Sequence, residues 1–155
     1  MTSGFRERLG RLLGRKPHSM QVAALCFDQR GRVLLITSRG TGRWIIPKGW
    51  PMAGRSLAQA AMQEAWEEAG VRGRLDETPI GSYHYDKRHD RGFSVPTEVQ
   101  VFAVAVHDLA EEFPERDQRR RGWFSALEAA DLVDEPGLQE ILRDLRPRGV
   151  RARPA

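Results

Sequence analysis

The chain has only one cysteine, Cys26, among its 155 residues, and none of its apolar runs approaches the roughly 20 residues that span a bilayer. A lone cysteine excludes a framework of disulfides within the chain, which indicates a reducing, cytoplasmic location. Cys26 lies in the apolar stretch VAALCF, which favours a buried, inert thiol over a nucleophile. We therefore expect a cytoplasmic protein without a membrane span.

Acidic charge is scarce at the two ends of the chain. Residues 1–18 and residues 143–155 each hold five basic side chains and one acidic side chain, so the two ends together carry a charge of +8. Because the net charge of the whole chain is +4, residues 19–142 carry −4. Nucleic-acid-binding domains carry their positive charge clustered on the folded surface. Binding of nucleic acid through the basic tails is therefore an alternative that the charge pattern does not favour.

Composition divides the chain into three parts. Residues 1–18 combine arginines with leucines at helical spacing, which predicts a partly ordered basic extension; a docked amphipathic helix and a targeting presequence are the alternatives. Residues 19–145 alternate strand and helix patterns and predict one folded domain. Residues 146–155 are rich in arginine, proline and glycine, which predicts a disordered tail. The sequence leaves the choice between monomer and homodimer open.

The middle part predicts a sheet flanked by helices. Strand patterns occur at residues 20–27, 32–38, 43–47, 73–77, 80–86 and 97–108. Helix patterns occur at residues 57–69, 125–133 and 137–145. The first two strands are split by the turn sequence DQRG and predict a hairpin, and the last two are joined by a polar loop over residues 87–96. This order predicts an α/β (α+β) sandwich on a central mixed sheet.

The helix at residues 57–69 has well-defined ends. Ser56 followed by Gln59 is the pattern of a capping box, and Gly70 suits the left-handed turn that ends a helix. Its apolar face is formed by several alanines, Met62 and Trp66. We expect Trp66, and Trp123 later in the chain, to lie in the core.

The same helix crowds Glu64, Glu67 and Glu68 into an arc of about 100°. Each pair of like charges one turn apart costs an exposed helix about 0.2–0.5 kcal/mol, and glutamates near its end oppose the helix dipole. One interpretation is a solvated acidic face. The other is a hard divalent cation, Mg²⁺ or Mn²⁺, held by the carboxylates. Spacing alone leaves both open.

Residues 49–71 resemble the Nudix box, G-x5-E-x7-R-E-U-x-E-E-x-G-U, in which U is an aliphatic residue. The matching positions are Gly49, Glu64, Glu67, Glu68, Gly70 and Val71. The preceding RWIIPKG is also similar to the segment that leads into the box in this family. The resemblance implies a Nudix-type α/β/α sandwich and metal-dependent hydrolysis of a diphosphate linkage in a nucleoside-diphosphate-type substrate.

The resemblance also implies roles for individual residues. It makes Gly49, through its carbonyl, and Glu64, Glu67 and Glu68 the ligands of Mg²⁺ or Mn²⁺, and it makes these three glutamates catalytic. The general base stays open between Glu67, Glu68 and a glutamate of a later loop. The candidates in that loop are Glu111, Glu112 and Glu115.

Two positions depart from the box: Arg55 replaces its first glutamate and Gln63 replaces its arginine. In the family these two side chains usually pair and brace the loop–helix–loop. Because both partners are changed, we expect an active enzyme with a rebuilt brace. A weakened or non-catalytic relative is the alternative.

Residues 35–50 and 107–133 are similar to the hydrolases of diadenosine polyphosphates and diphosphoinositol polyphosphates. That similarity implies a phosphate-rich small-molecule substrate, and basic side chains suit phosphate oxygens. We expect the substrate to be bound by Arg39, Arg43, Lys48, Lys87, Arg88 and Arg121. Tyr83, Tyr85 and Phe93 either stack on a nucleobase or serve the fold. The alternatives are another substrate (a nucleotide sugar, an oxidised nucleoside triphosphate or a capped RNA end) and a non-catalytic nucleotide- or RNA-binding module.

Overall fold

The structure, a computed structural model, describes residues 19–88 and 92–151, with side chains up to residue 145. The basic extension over residues 1–18 and the last four residues of the predicted tail lie outside the described residues. The strands are β1 Ser19–Phe27, β2 Val33–Thr37, β3 Trp44–Ile45, β4 Lys48–Gly49, β5 Val71–Arg88, β6 Ser94–Leu109 and β7 Arg121–Phe124. The helices are α1 Leu57–Ala69, α2 Ala126–Leu132 and α3 Pro136–Arg151.

One mixed sheet of seven strands forms the centre of the domain. Its main path runs β3-β2-β1-β6-β5, β4 pairs with β1, and β7 pairs with β2. Strands β1 and β6 are parallel over their whole shared length, and the other pairs are antiparallel. The predicted hairpin of β1 and β2 and the mixed sheet are therefore confirmed.

Helices cover both faces of the sheet. Successive side chains of β1 point to opposite faces, so this strand contributes to an apolar layer on each side. Val22, Ala24 and Cys26 pack towards the alanines of α1, such as Ala61 and Ala65. The intervening residues of β1 face α2 and α3, where the buried side chains include Ala129, Leu138 and Leu142. The three layers form the predicted α/β/α sandwich.

The single thiol lies in the first of these layers. Cys26 is fully buried, and burial raises the pKa of its thiol to about 12. A thiol that stays protonated is a poor nucleophile. The predicted burial of Cys26 is therefore confirmed.

Some elements differ from the sequence prediction. Residues 71–88 form one long strand with bulges where two shorter strands are expected. The polar loop is consequently shorter than predicted, because Lys87 and Arg88 pair with Val95 and Ser94 at the end of the β5–β6 hairpin. Strands β4 and β7 are not predicted at all, since their few residues lie in polar and basic stretches and form strands through pairing with β1 and β2.

Trp123 and Trp66 differ in how they pack. Trp123 packs against the core layer beneath α1, as predicted. Trp66 is only partly buried, outside both core layers, and its ring centroid lies 5.8 Å from the Arg72 guanidinium. The prediction of a core position for Trp66 is wrong, because this side of α1 faces the solvent.

The last helix continues beyond the predicted end of the domain. Its backbone is helical to Arg151, past position 145. The three-part division of the chain stays a prediction. None of the helices that the structure describes is long and apolar enough to cross a membrane.

Candidate active site

Helix α1 holds its glutamates in a fixed register because both of its ends are secured as predicted. The Ser56 hydroxyl accepts a hydrogen bond from the Gln59 amide at 3.0 Å, and the Gln59 side chain accepts one from the Ser56 amide at 3.0 Å. Gly70 ends the helix with a φ of 67°, a left-handed conformation that favours glycine.

Glu68 is the most enclosed carboxylate of the site, with 6% of its surface exposed. Its Oε1 accepts a hydrogen bond from the Lys48 backbone amide at 3.1 Å, and its Oε2 accepts one from Nη2 of Arg119 at 3.1 Å. Burial raises the pKa of the Glu68 carboxyl more than the Arg119 charge and the Lys48 amide lower it. These contacts join α1 to β4 and to the segment that precedes β7.

Arg119 is the centre of this network. Its side chain is 7% exposed, and its guanidinium donates to the carboxylates of Glu68 and Glu115 and to the Thr37 carbonyl, each at 3.1 Å. Of the three arginines at positions 119–121, only Arg121 is among the predicted site residues. The spacing of four residues between Glu115 and Arg119 is the signal that could have identified the pair.

Glu64 lies against the glycine that opens the box. A Cβ atom at position 49 would lie 2.3 Å from the Glu64 carboxyl carbon, so the backbone reaches the carboxylate only because residue 49 is glycine. Burial, followed by the negative charges of Glu68, Glu67 and Glu115, raises the pKa of the Glu64 carboxyl to about 7. The site therefore has an excess of negative charge.

Glu67 is held by the two residues that depart from the box. Nε2 of Gln63 donates to Oε1 of Glu67 at 2.9 Å, and Oε1 of Gln63 accepts from Nη1 of Arg55 at 3.0 Å. The structure thus pairs Arg55 with Gln63, as expected for a rebuilt brace. The amide of Gln63 links this pair to Glu67.

The donor chemistry of the site suits a hard divalent cation. Across residues 19–88 and 92–151, no three histidine, cysteine, aspartate or glutamate side chains are arranged to hold a metal by themselves. Mg²⁺ in phosphate-transfer sites is usually held by only one or two carboxylates, with waters and substrate phosphates as the remaining ligands. The Glu64 carboxylate against the Gly49 backbone, with Glu68 near it, fits a cation bound in that way.

The predicted phosphate-binding side chains have different surroundings. Nη1 of Arg39 donates to Gln118 at 2.9 Å, and its Nε lies 3.7 Å from Glu115 at the edge of the site. Burial lowers the pKa of the Lys48 ammonium, which lies close enough to Glu68 and Glu135 for both to oppose that shift. Of the six predicted phosphate-binding side chains, Arg39 and Lys48 are thus the two whose charges interact with carboxylates of the site.

The other four lie further out or have protein partners. Nη1 of Arg43 donates to Glu135 at 2.8 Å, and Nη1 of Arg121 donates to the Ala69 and Ala110 carbonyls at 2.8 Å each. Arg121 therefore binds the carbonyl end of α1 rather than pointing at the carboxylates. Lys87 lies over the Trp50 ring, 5.4 Å from its centroid, and Arg88 pairs with Ser94 in the hairpin.

The three candidate bases of the later loop lie in different places relative to the carboxylates of α1. Glu115 contacts Arg119 and Arg39, and its backbone amide donates to the Glu67 carbonyl at 2.9 Å. Glu111 and Glu112 instead line an open depression of about 380 Å³, where Glu112 pairs with Arg116. Of the three, only Glu115 lies at the site.

The aromatic side chains divide between the fold and the surface. Tyr83 is 3% exposed, and its ring lies 6.3 Å from that of Tyr85 on the same face of β5. The Tyr85 hydroxyl donates to Oε1 of Gln21. Phe93 is exposed in the hairpin loop. Tyr83 therefore serves the core, as the strand alternative predicts.

Comparison with known proteins establishes the family. The model of the NUDIX domain matches residues 17–145, and the chain belongs to the Nudix hydrolase family. Nudix hydrolase 13, mitochondrial, of Arabidopsis thaliana is 30% identical over 135 residues, which cover 79% of this chain and 65% of that protein. Diphosphoinositol polyphosphate phosphohydrolase 2 of Mus musculus is 28% identical over 149 residues, which cover 92% of this chain and 79% of that protein.

Solved structures agree with the fold. An Ap4A hydrolase of C. elegans superposes with a TM-score of 0.63 at 18% identity, covering 86% of this chain and 98% of that one. The dihydroneopterin triphosphate pyrophosphohydrolase of E. coli gives a TM-score of 0.65 at 16% identity, covering 83% and 95%. The chain spans 52% to 65% of the length of four plant relatives that it matches. The predicted family and fold are confirmed, and the predicted hydrolase class is confirmed at the level of the family.

The rebuilt brace leads to a charge-swap prediction. We expect Arg55→Glu and Gln63→Arg each to lower kcat/KM by about tenfold, because either change redirects the Gln63 contact that holds Glu67. The double variant recreates the family's usual pair and is expected to recover most of that loss. Steady-state kinetics of the four proteins measures this coupling; additive losses in the double variant would show that the two residues act independently.

The raised pKa of Glu64 predicts a pH dependence of stability in EDTA. The folded pKa is about 7 and the ordinary value is 4.5, so the folded protein binds more protons than the unfolded chain between these limits. The favourable contribution of the protonated carboxyl is complete below pH 4.5 and is lost as pH rises through 7. Since Glu64→Gln is neutral throughout, its Tm is expected to rise relative to wild type over this window; a constant Tm difference would contradict the shift.

Proposed function

We propose that the protein hydrolyses the P–O–P linkage of a nucleoside-diphosphate-type substrate, with a diadenosine polyphosphate or a diphosphoinositol polyphosphate as the best candidates. The observation that carries this proposal is the close approach of the Glu64 carboxylate to the backbone of Gly49, where burial and then the charges of Glu68 and Glu67 raise the pKa of Glu64 to about 7. The Nudix family generally uses divalent metal ions such as Mg²⁺ or Mn²⁺. When bound, such an ion supplies charge neutralisation at the phosphate oxygens.

Metal binding and orientation of the carboxylates are assigned to residues of this chain. Glu64 and Glu68, with Gly49, are proposed to hold the ion, and Arg119 and the Lys48 amide orient the Glu68 carboxylate. Water attacks one phosphorus atom, the P–O bond to the bridging oxygen breaks, and two phosphate-containing products leave. The water loses its proton to a general base.

Three carboxylates are candidates for that base. Glu67 is oriented by the Gln63 amide, and Glu115 is oriented by Arg119. Glu68 accepts hydrogen bonds at both carboxylate oxygens. Since these bonds favour a fixed ligand over a group that exchanges protons, we favour Glu67 or Glu115 as the base.

The proposed substrate class rests on relatives and on nearby positive charge. The names of two similar proteins, of mouse and C. elegans, refer to diphosphoinositol polyphosphate and Ap4A. Lys48 and Arg39 flank the carboxylates in this chain and can bind phosphate oxygens. A phosphate-rich small molecule is therefore the proposed partner.

A substrate screen tests the proposal. Diadenosine polyphosphates, inositol pyrophosphates, nucleotide sugars, oxidised nucleoside triphosphates and capped RNA ends are incubated with the protein and Mg²⁺ or Mn²⁺. We expect phosphate or mononucleotide products, identified by mass, and no products in EDTA. Absence of turnover on every compound at every metal concentration would contradict the proposed activity.

A non-catalytic nucleotide- or RNA-binding module is the second candidate, favoured by the departures at Arg55 and Gln63. It predicts ligand binding that survives Glu68→Gln, occurs without hydrolysis, and is lost when residues 1–18 and 146–155 are removed. Hydrolysis by the trimmed protein would exclude this candidate.

Location and assembly are proposed from the sequence. A cytoplasmic location follows from the lone cysteine. Three of the plant relatives nevertheless carry "mitochondrial" in their names, and one carries "chloroplastic". Fractionation of cells that produce the full chain tests the location, and light scattering distinguishes a monomer from a homodimer.

A further inference from the structure

A depression of about 370 Å³ lies on the solvent-facing side of α1, between this helix and β5. It is lined by side chains from the segment before α1, from α1 and from β5, namely Arg55, Gln59, Met62, Gln63, Trp66 and Leu75. None of these six described residues is buried, so a ligand can reach all of them. The volume lies within the range of about 300–1,000 Å³ that is usual for small-molecule sites. We call it the Trp66 depression.

The Trp66 depression combines an apolar floor with an aromatic wall. Met62 and Leu75 pack against the core layer beneath α1 and form the floor. Trp66 lies outside both core layers and lines the depression, although the Arg72 guanidinium lies 5.8 Å from its ring centroid. An aromatic ring beside aliphatic side chains favours a planar aromatic ligand group such as a nucleobase.

The polar groups of the depression suit a phosphate and the edge of a base. Arg55 is the only charged residue among the described side chains that line it. Nη1 of its guanidinium donates to Gln63, and its remaining N–H groups can bind a phosphate. The oxygen of the Gln59 amide accepts a hydrogen bond in the capping box, which leaves its nitrogen to donate to a ring heteroatom. Together these groups match a nucleoside monophosphate.

Two consecutive hydrogen bonds connect the Trp66 depression to the proposed active site. Nη1 of Arg55 donates to Oε1 of Gln63 at 3.0 Å, and Nε2 of the same amide donates to Oε1 of Glu67 at 2.9 Å. A phosphate that draws the Arg55 guanidinium away from Gln63 frees this amide to turn, and Glu67 then loses the donor that orients it. Occupation of the depression and orientation of Glu67 are therefore energetically coupled.

We propose that the Trp66 depression is a second, regulatory site that binds a nucleoside monophosphate and thereby lowers turnover at the carboxylates of α1. The inference rests on the proposed function for its ligand, because hydrolysis of a nucleoside-diphosphate-type substrate releases a mononucleotide. Accumulated product therefore slows the enzyme through Gln63 and Glu67, from outside the active site.

Calorimetric binding of adenosine monophosphate (AMP) and of adenosine in EDTA tests the site. Without a divalent cation, the negative charges of Glu64, Glu67 and Glu68 disfavour a phosphate in the active site. We expect Trp66→Leu to bind both compounds roughly tenfold more weakly than wild type, because the stacking contact is lost. Arg55→Met should weaken the binding of AMP alone, since adenosine carries no phosphate.

Trp50→Leu is the matched control, because Trp50 is 47% exposed and directly follows Gly49 at the proposed metal site. It should bind AMP in EDTA as tightly as wild type does. Circular dichroism verifies that the three variants fold. No binding of AMP by wild type, wild-type affinity in Trp66→Leu, or a larger loss in Trp50→Leu than in Trp66→Leu would each overturn the inference.

Inhibition kinetics tests the coupling, with the substrate that the screen identifies. At saturating Mg²⁺, AMP should lower the kcat of wild type and leave its KM almost unchanged. Gln63→Met should still bind AMP, but AMP should no longer lower the kcat of this variant, because methionine lacks the amide that links Arg55 to Glu67. Competitive inhibition of wild type, or undiminished inhibition of Gln63→Met, would overturn the inference.

Failure of the inference and failure of the proposed function give different results. Binding in EDTA requires no turnover, so it is measured whether or not the substrate screen yields products. Absence of AMP binding beside normal hydrolysis overturns the inference alone. Absence of products from every compound in the screen contradicts the proposed function.

Discussion

Glu64→Gln and Glu68→Gln are each expected to lower kcat by at least about 10²-fold while the protein remains folded. Each substitution removes one negative charge from the proposed metal site, where neutralisation of developing phosphate charge is worth several kcal/mol. The two variants should differ in stability. Glu64→Gln relieves charge repulsion, whereas Glu68→Gln weakens the contact with Arg119.

The matched control for this experiment is Glu140→Gln, the same substitution on an exposed position of α3. It should retain wild-type kcat. Steady-state kinetics at saturating Mg²⁺ and Mn²⁺, with circular dichroism of each variant, provides the measurement. Wild-type turnover by Glu64→Gln and Glu68→Gln would remove the carboxylates of α1 from the mechanism.

Arg119→Met is expected to destabilise the protein by about 3–5 kcal/mol, which is the usual cost of removing one partner from a buried charge network. The guanidinium compensates the carboxylates of both Glu68 and Glu115 and also donates to the Thr37 carbonyl. Its loss leaves the Glu68 charge buried without its ion-pair partner. Because Glu68 then loses its orientation, activity should fall as well.

Arg120→Met is the control for this second prediction, since Arg120 is exposed and lies 5.5 Å from the Trp44 ring centroid. Its effect on stability should stay below about 1 kcal/mol. Urea unfolding of the two variants and of wild type measures the difference. Similar unfolding midpoints for Arg119→Met and Arg120→Met would show that the buried network contributes little to stability.

The elements that sequence predicted well have strong local signals. Helix α1 has the predicted bounds because its capping box and its left-handed glycine are encoded by adjacent residues. The hairpin of β1 and β2 is similar, since two apolar runs flank a turn sequence. The spacing of Glu64, Glu67 and Glu68 also placed these side chains on the correct helix.

The features that sequence missed depend on contacts between distant segments. Strand β7 forms because residues 121–124 pair with β2, and these four residues are too few to show a strand pattern of their own. The prediction of Arg121 rather than Arg119 as a site residue has the same cause. Arg119 meets Glu68 across 51 positions of sequence, whereas Arg121 binds the carbonyls of Ala69 and Ala110. Periodicity could not distinguish two arginines two residues apart.

The burial of Glu135 was also hidden from sequence. A glutamate in a DEPG stretch before a helix is expected to be solvated, whereas in the fold Gly137 packs on Tyr83 and Glu135 is 6% exposed. The sequence therefore revealed the carboxylates that lie within one helix. The partner groups that orient them required the folded structure.

The central claim is that the carboxylates of α1 bind a divalent cation, and that phosphate oxygens of a diphosphate substrate fill its remaining coordination positions. Manganese soaked into crystals of the wild-type protein, located by its anomalous signal, tests this claim most directly. The account predicts manganese bound by Glu64 and Glu68 next to Gly49, and no manganese there in crystals of a Glu64→Gln/Glu68→Gln double variant. A wild-type crystal in which those carboxylates contact no manganese would contradict it.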